Sequence, residues 1–181
     1  MILTVSGLRI SNRSWHGRCS DCFTYYEICN KRVCKEELRR KIIMQKIQGG
    51  CLCGAVRYRS DAAPLLTAIC NCKNCQRQTG TAFSILVAVP KGALIMEGAE
   101  PDTYHDVGDS GLPVLRRFCS KCGSPMFSDV ASTPTMHWLK AGTLDDVSWL
   151  EPQVNVWCDS AQPWVQISDA LPRIPRNPPP A

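Results

Sequence analysis

From Gly49 onward the apolar residues fall in short runs with gaps of polar and turn-forming residues between them. Ala55–Arg59 alternates apolar and polar, the period of a half-buried strand. Further strands are predicted at Leu65–Ile69, Phe83–Val89, Ala93–Met96, Thr103–Asp106, Val114–Phe118, Met126–Ser128, His137–Ala141 and Val154–Cys158. Pro90-Lys91-Gly92 closes the Phe83–Val89 strand with a turn signal, and Gly108–Pro113 reads as a loop. Thr143–Leu150 has room for a single helical turn. Short strands roughly ten residues apart, punctuated by Gly and Pro, predict an all-β domain of two packed antiparallel sheets with few short helical turns.

The flanks differ in texture. Residues 1–46 hold ten basic and four acidic residues, a net +6, with one helix-like piece at Lys35–Met44. They are expected to form a basic extension, disordered or not native, with Met44 as an alternative start whose use would leave the fold intact. Residues 47–172 are expected to form the domain. Residues 173–181 are a Pro-rich tail: the stretch Leu171–Ala181 carries five prolines and is expected to be extended and mobile.

The net charge of +5 comes from the extension. Residues 47–181 hold eleven basic and twelve acidic residues, so the domain itself is near neutral. Nucleic-acid binding calls for a basic face, and none is expected. No apolar run approaches the roughly 18 residues of a membrane span. The first 18 residues lack the compact apolar block of a secretory leader. Twelve cysteines in short spacings, without such a leader, favour metal binding in a reducing cytoplasm over disulfides.

Cysteine spacing carries the chemistry. Cys70-Asn71-Cys72-Lys73-Asn74-Cys75 places three thiols within six residues, so one turn can aim three sulfurs at one point. Zinc takes four ligands in a tetrahedron, and three from this stretch leave an open position, the mark of a working metal. Cys51-Leu52-Cys53 and Cys119-Ser120-Lys121-Cys122 are two further chelating pairs. Together they make a closed four-thiolate site of the structural kind. The competing partition puts Cys51 or Cys53 on the open zinc, which breaks up a chelating pair. Cys19, Cys22, Cys29 and Cys34 allow a third zinc on paper, though incidental cysteines are the favoured reading there.

Three blocks in this order carry a resemblance. They are Gly49-Gly50-Cys51-Leu52-Cys53-Gly54-Ala55-Val56-Arg57-Tyr58, then Cys70 to Gly80 with Gln76, Arg77 and Thr79, then Arg117-Phe118-Cys119 to Cys122-Gly123-Ser124-Pro125. From about Gly49 to Pro172 the chain resembles the glutathione-dependent formaldehyde-activating enzyme family, which includes centromere protein V. The resemblance implies a β-tent fold with two zinc ions. By motif position Cys51, Cys53, Cys119 and Cys122 match the structural zinc ligands, and Cys70, Cys72 and Cys75 match the catalytic ones. It also implies a carbon–sulfur lyase that joins glutathione to formaldehyde, giving S-hydroxymethylglutathione.

The site's own chemistry agrees with that expectation. Three thiolates make zinc a poor acid for generating hydroxide, yet it can still hold an incoming thiol as thiolate. Lys73 and Arg77 flank the loop and are candidate partners for the carboxylates of glutathione. Arg116, Arg117 and Lys121 lie beside the second knuckle in sequence and are read as surface or supporting groups. His105 and His137 are read as core or surface residues rather than ligands. Trp138, Trp149, Trp157 and Trp164 are read as packing, and Cys158 as a buried free thiol. A small-molecule thiol and an aldehyde are the expected partners. The other readings are a zinc-stabilised binding scaffold, or a glutathione carrier or sensor without turnover.

Overall fold

The structure is a computed structural model describing residues 47–166, 168 and 170–177. The readings made for residues 1–46 lie outside the described residues. Among the described residues, ten strands and one short α-helix follow in chain order: β1 (Ile47–Gly50), β2 (Val56–Ser60), β3 (Leu66–Cys70), α1 (Lys73–Thr79), β4 (Ser84–Pro90), β5 (Leu94–Gly98), β6 (Asp102–Val107), β7 (Pro113–Phe118), β8 (Pro125–Val130), β9 (Met136–Lys140) and β10 (Val154–Val156). Single 3-10 turns occupy Lys91–Ala93, Ala141–Thr143 and Cys158–Ser160.

The strands form two sheets, as the spacing of the short strands predicts. The small sheet runs β1-β2-β5 and the large one β10-β3-β4-β9-β8-β7-β6. Every named pairing is antiparallel except β10 beside β3, which is parallel. The departure is allowed because a long stretch of chain, not a hairpin, connects these two strands.

Alternation on β2 turns Val56 and Tyr58 inward, where they meet Ile47 of β1 and Val87, Val89, Phe127 and Leu139 of the large sheet. Burial of these side chains drives the packing of the two layers. Tyr58 is 2% exposed and joins its hydroxyl to Thr143 Oγ1 at 2.8 Å, so its polar tip is not stranded. Gly49 sits against this pair. A Cβ there would lie 2.3 Å from the Thr143 carbonyl oxygen and 2.4 Å from the Tyr58 hydroxyl, so only glycine fits.

Several elements differ from the sequence reading. β1 is a strand of its own, although Gly49 and Gly50 hide its pattern. The helical turn falls at Ala141–Thr143, ahead of the expected Thr143–Leu150. The last strand stops at Val156 because Trp157 takes a left-handed conformation with φ 60°. The tail is anchored as far as it is described. The amides of Asn155, Trp157, Cys158 and Asp159 donate to the carbonyls of Pro172, Arg176, Ile174 and Pro175. Prolines lack amide donors but keep their carbonyls, so a Pro-rich segment can still serve as an acceptor edge.

Candidate metal centres

The turn between β1 and β2 carries Cys51 and Cys53, and the turn between β7 and β8 carries Cys119 and Cys122. Each turn ends on a glycine in the left-handed region, Gly54 and Gly123, both at φ 75°. The amide of Gly54 donates to the Cys51 carbonyl at 3.0 Å, and that of Gly123 to the Cys119 carbonyl at 2.8 Å. Two knuckles of one shape thus face each other. Ser124 connects them, since its hydroxyl accepts from the Leu52 amide at 3.1 Å and lies 3.2 Å from Cys122 Sγ.

The four sulfurs converge to within 4.8 Å of one another. Cys51 Sγ lies 3.5 Å from Cys53 Sγ, which lies 3.8 Å from Cys119 Sγ. Sulfurs about 2.3 Å from a tetrahedral zinc are about 3.8 Å apart, so the donors present fit that ion. Backbone amides favour the anionic form: Val56 N donates to Cys51 Sγ at 3.2 Å. Hydrogen bonds from the side chain and backbone of Ser124, aided by the Cys53 backbone, bring the Cys122 thiol down to about 5.

The second group is local. β3 delivers Cys70, and Cys72 caps α1 by accepting the Cys75 amide on its sulfur at 3.3 Å. Gly80 ends the helix in the left-handed region. This seven-residue helix lies where the sequence suggested only a turn. Its polar residues Lys73, Asn74, Gln76, Arg77 and Gln78 offer no apolar stripe to betray it. The sulfurs of Cys70, Cys72 and Cys75 lie within 4.8 Å of one another. Among the described residues no fourth His, Cys, Asp or Glu completes the group. The structure thus brings these cysteines together as four and three, and neither Cys51 nor Cys53 lies with the trio.

Two buried cations face the trio. Arg116 on β7 is 8% exposed and Lys140 on β9 is 4% exposed. Arg116 donates Nε to Asp106 Oδ2 at 2.7 Å and Nη1 to Gln78 Oε1 at 2.9 Å. Asn74 of α1 donates to the same carboxylate oxygen at 3.1 Å. Of the two readings made for Arg116, the structure overturns the surface one: it is a supporting group, and what it supports is the trio, as part of the wall behind α1. Hydrogen bonds from Cys70 and Cys72 draw the Cys75 thiol far down, and the positive charges of Lys140 and Arg116 add to this. Cys70, the partner in those bonds, is pushed up. Cys72 is pushed up as well, so it is the Cys75 thiolate that forms most readily, where the protein has placed positive charge.

The remaining candidates are dispersed. Lys73 and Arg77 lie on the exposed side of α1. The Lys73 ammonium donates to the Ser160 carbonyl at 3.1 Å and ties α1 to the loop after β10. Arg117 points to the opposite face of β7 from Arg116, pairing with Asp129 at 3.4 Å and Thr103 at 2.6 Å. His137 joins that group, 2.6 Å from Asp129 Oδ1, and stacks edge-on against Phe127. His105 and Lys121 are exposed. Trp149 packs on the core, Trp138 donates to Thr133, and Trp164 is 73% exposed. Cys158 is half-buried, its sulfur 3.6 Å from the Asn155 carbonyl oxygen.

Residues 46–160 match the family described as glutathione-dependent formaldehyde-activating enzyme. The chain belongs to this family. Family relatives whose names assign them to it provisionally include a Halomonas elongata protein, 28% identical over 126 residues, covering 67% of this chain and 80% of the relative. A Colletotrichum graminicola relative is 24% identical over 94 residues, and an Aspergillus terreus relative 30% over 87 residues. The matches span 48% and 44% of those two fungal proteins, less than half of each. A Rhodobacter sphaeroides protein of known crystal structure is similar at 21% identity and a TM-score of 0.45, over 56% of this chain and 90% of that one. Among the described residues no helix is long and apolar enough to cross a membrane.

Proposed function

We propose that this chain is a zinc-dependent carbon–sulfur lyase of the S-hydroxymethylglutathione synthase type, acting on glutathione and formaldehyde or a related aldehyde. The observation that carries the reading is the incomplete trio of Cys70, Cys72 and Cys75 beside a complete group of four. A scaffold needs only the closed group, and three sulfurs at one point leave room for one more donor. Zinc held by the trio would supply a fourth coordination position that takes a thiol in its thiolate form.

The chain's own residues supply the rest. Arg116, fixed by Asp106 and Gln78, adds positive potential behind the trio and favours an anionic sulfur in front of it. The peptide carboxylates of glutathione reach towards the exposed side of α1, where Lys73 and Arg77 are the cations on offer. The thiolate sulfur attacks the aldehyde carbon and forms the C–S bond. The carbonyl π pair becomes an oxygen lone pair, and that oxygen takes a proton from water, which the proton released by the thiol on forming its thiolate makes good. Holding both reactants in one place removes the entropic cost of their encounter. The β-tent architecture, the two-zinc stoichiometry and a cytoplasmic location belong to the same proposal. So do a domain limited to residues 47–172 and a basic extension it does not need.

Exchange kinetics of the glutathione–formaldehyde adduct test the reading, measured with intact protein, without protein, and with Cys72→Ser. Acceleration by the intact protein, lost in Cys72→Ser, is expected. No acceleration, combined with thiol binding that Cys72→Ser abolishes, would reassign the protein as a glutathione carrier or sensor. Neither acceleration nor thiol binding would leave the scaffold.

A further inference from the structure

One buried charge on the large sheet has no carboxylate. Lys140 is 4% exposed, and among the described residues no Asp or Glu lies within ion-pair distance of it. Its Nζ donates to Ser84 Oγ at 3.3 Å. Ser84 stands directly opposite Cys70 across β3 and β4. Lys140 stands opposite Leu86 on β4, two residues along from Ser84 and on the same face. Its side chain therefore runs diagonally down that face towards the three sulfurs. Arg116 differs, because its charge is already matched by Asp106 at 2.7 Å. An ammonium withdrawn from water needs an anion nearby, or its burial is costly. Burial and the nearby Arg116 charge work against the charge of Lys140, and the groups that favour it are Cys75, Cys70 and Cys72.

We propose that Lys140 is the counter-ion of the three-cysteine centre and selects an anionic sulfur over a neutral donor as its fourth ligand. This rests on the reading of that centre as a metal site with one open position. The charge count gives the reason. A divalent ion with three thiolates carries a formal −1, and Lys140 brings the buried group to neutrality. An entering thiolate then takes it to −1. Without Lys140 the same step takes it from −1 to −2 in a poorly solvated place. A neutral donor such as imidazole changes neither count. Lys140 therefore discriminates by ligand charge, which a hydrogen bond serving only to hold Ser84 would not do.

The test uses the full chain with cobalt(II) in place of zinc, whose absorption reports exchange of the fourth ligand. Glutathione and imidazole are titrated separately into the parent protein, Lys140→Met and Lys140→Arg. Lys140→Met is expected to raise the glutathione dissociation constant about tenfold or more, in the range found for lost close charge pairs. It should leave the imidazole constant within about twofold, and Lys140→Arg should recover most of the glutathione binding. Equal weakening of both ligands, or unchanged glutathione binding, would overturn the proposal. If Lys140→Met does not fold, Lys140→Gln serves: it removes the charge but keeps a donor for Ser84, and a loss confined to glutathione is required. A parent spectrum that ignores glutathione would sink the metal-site reading along with this one. A parent spectrum that responds while Lys140→Met responds equally would sink this one alone.

Discussion

Cys119→Ser should unfold the domain far more readily than Cys72→Ser, although each removes one thiol. The reason is which parts of the chain each group joins. Cys51 and Cys53 end a hairpin of the small sheet, while Cys119 and Cys122 end a hairpin of the large one. A metal across them closes a loop of 66 residues between Cys53 and Cys119 and staples one layer to the other. On the chain-entropy estimate for cross-links, a loop of that length contributes about 4 kcal/mol. Cys70, Cys72 and Cys75 span six residues, for which the same estimate gives at most about 2 kcal/mol. β3 pairing and the α1 cap already hold that short stretch closed. Small domains have only about 5–15 kcal/mol in total. About 4 kcal/mol corresponds to roughly 15 °C in Tm for a domain of this size. The assay is far-ultraviolet circular dichroism on heating, in reducing buffer, with metal content measured on the same samples. The parent should bind two zinc ions and melt lower after chelation. Cys119→Ser should start near the chelated parent and respond little to chelator, while Cys72→Ser should lose less than half as much. A Cys119→Ser protein melting within a few degrees of the parent, or a Cys72→Ser protein damaged equally, would refute the assignment of the stapling role.

Burial opposes the charge of Asp106, but Arg116, the Val107 amide and Asn74 together hold its carboxyl below the usual range. A carboxyl depressed in the folded state stabilises above its unfolded pKa of about 4, and that contribution fades as pH falls through the folded value. Asp106→Asn should therefore lower stability near neutrality by about 2 kcal/mol and flatten the fall below about pH 4. An unaltered acid limb in urea titrations at graded pH would contradict this. Tyr58→Phe should cost only about 1 kcal/mol, because Thr143 Oγ1 still donates to the Lys140 carbonyl at 2.8 Å. Gly49→Ala should cost clearly more, since backbone and ring must both give way. Chemical denaturation that ranks these two in the reverse order would show the close approach at Gly49 to be unimportant.

Much of this protein is written in local spacing. A chelate of two or three residues is a property of a turn, so Cys51/Cys53, Cys119/Cys122 and Cys70/Cys72/Cys75 were legible as units before any fold was known. Short apolar runs between turn-forming residues are equally local, and they placed nearly every strand. What a single stretch cannot contain is which turn meets which. The meeting of the β1–β2 and β7–β8 knuckles depends on how two sheets pack, and counting could only favour it. α1 escaped notice because its cap is a cysteine sulfur and its residues are polar. The tail escaped because its partners lie near Asn155–Asp159, well upstream. The buried cations are the clearest case. Arg116 and Arg117 are neighbours in the chain, yet one backs the three-cysteine group and the other pairs with Asp129 on the opposite face. Successive residues of a strand always point apart, but which face holds the site is decided by cross-strand register and by what covers each side. Lys140 falls within the strand predicted at His137–Ala141, with nothing local to mark it. Only the pairing of β9 with β4, and of β4 with β3, carries its charge to the sulfurs.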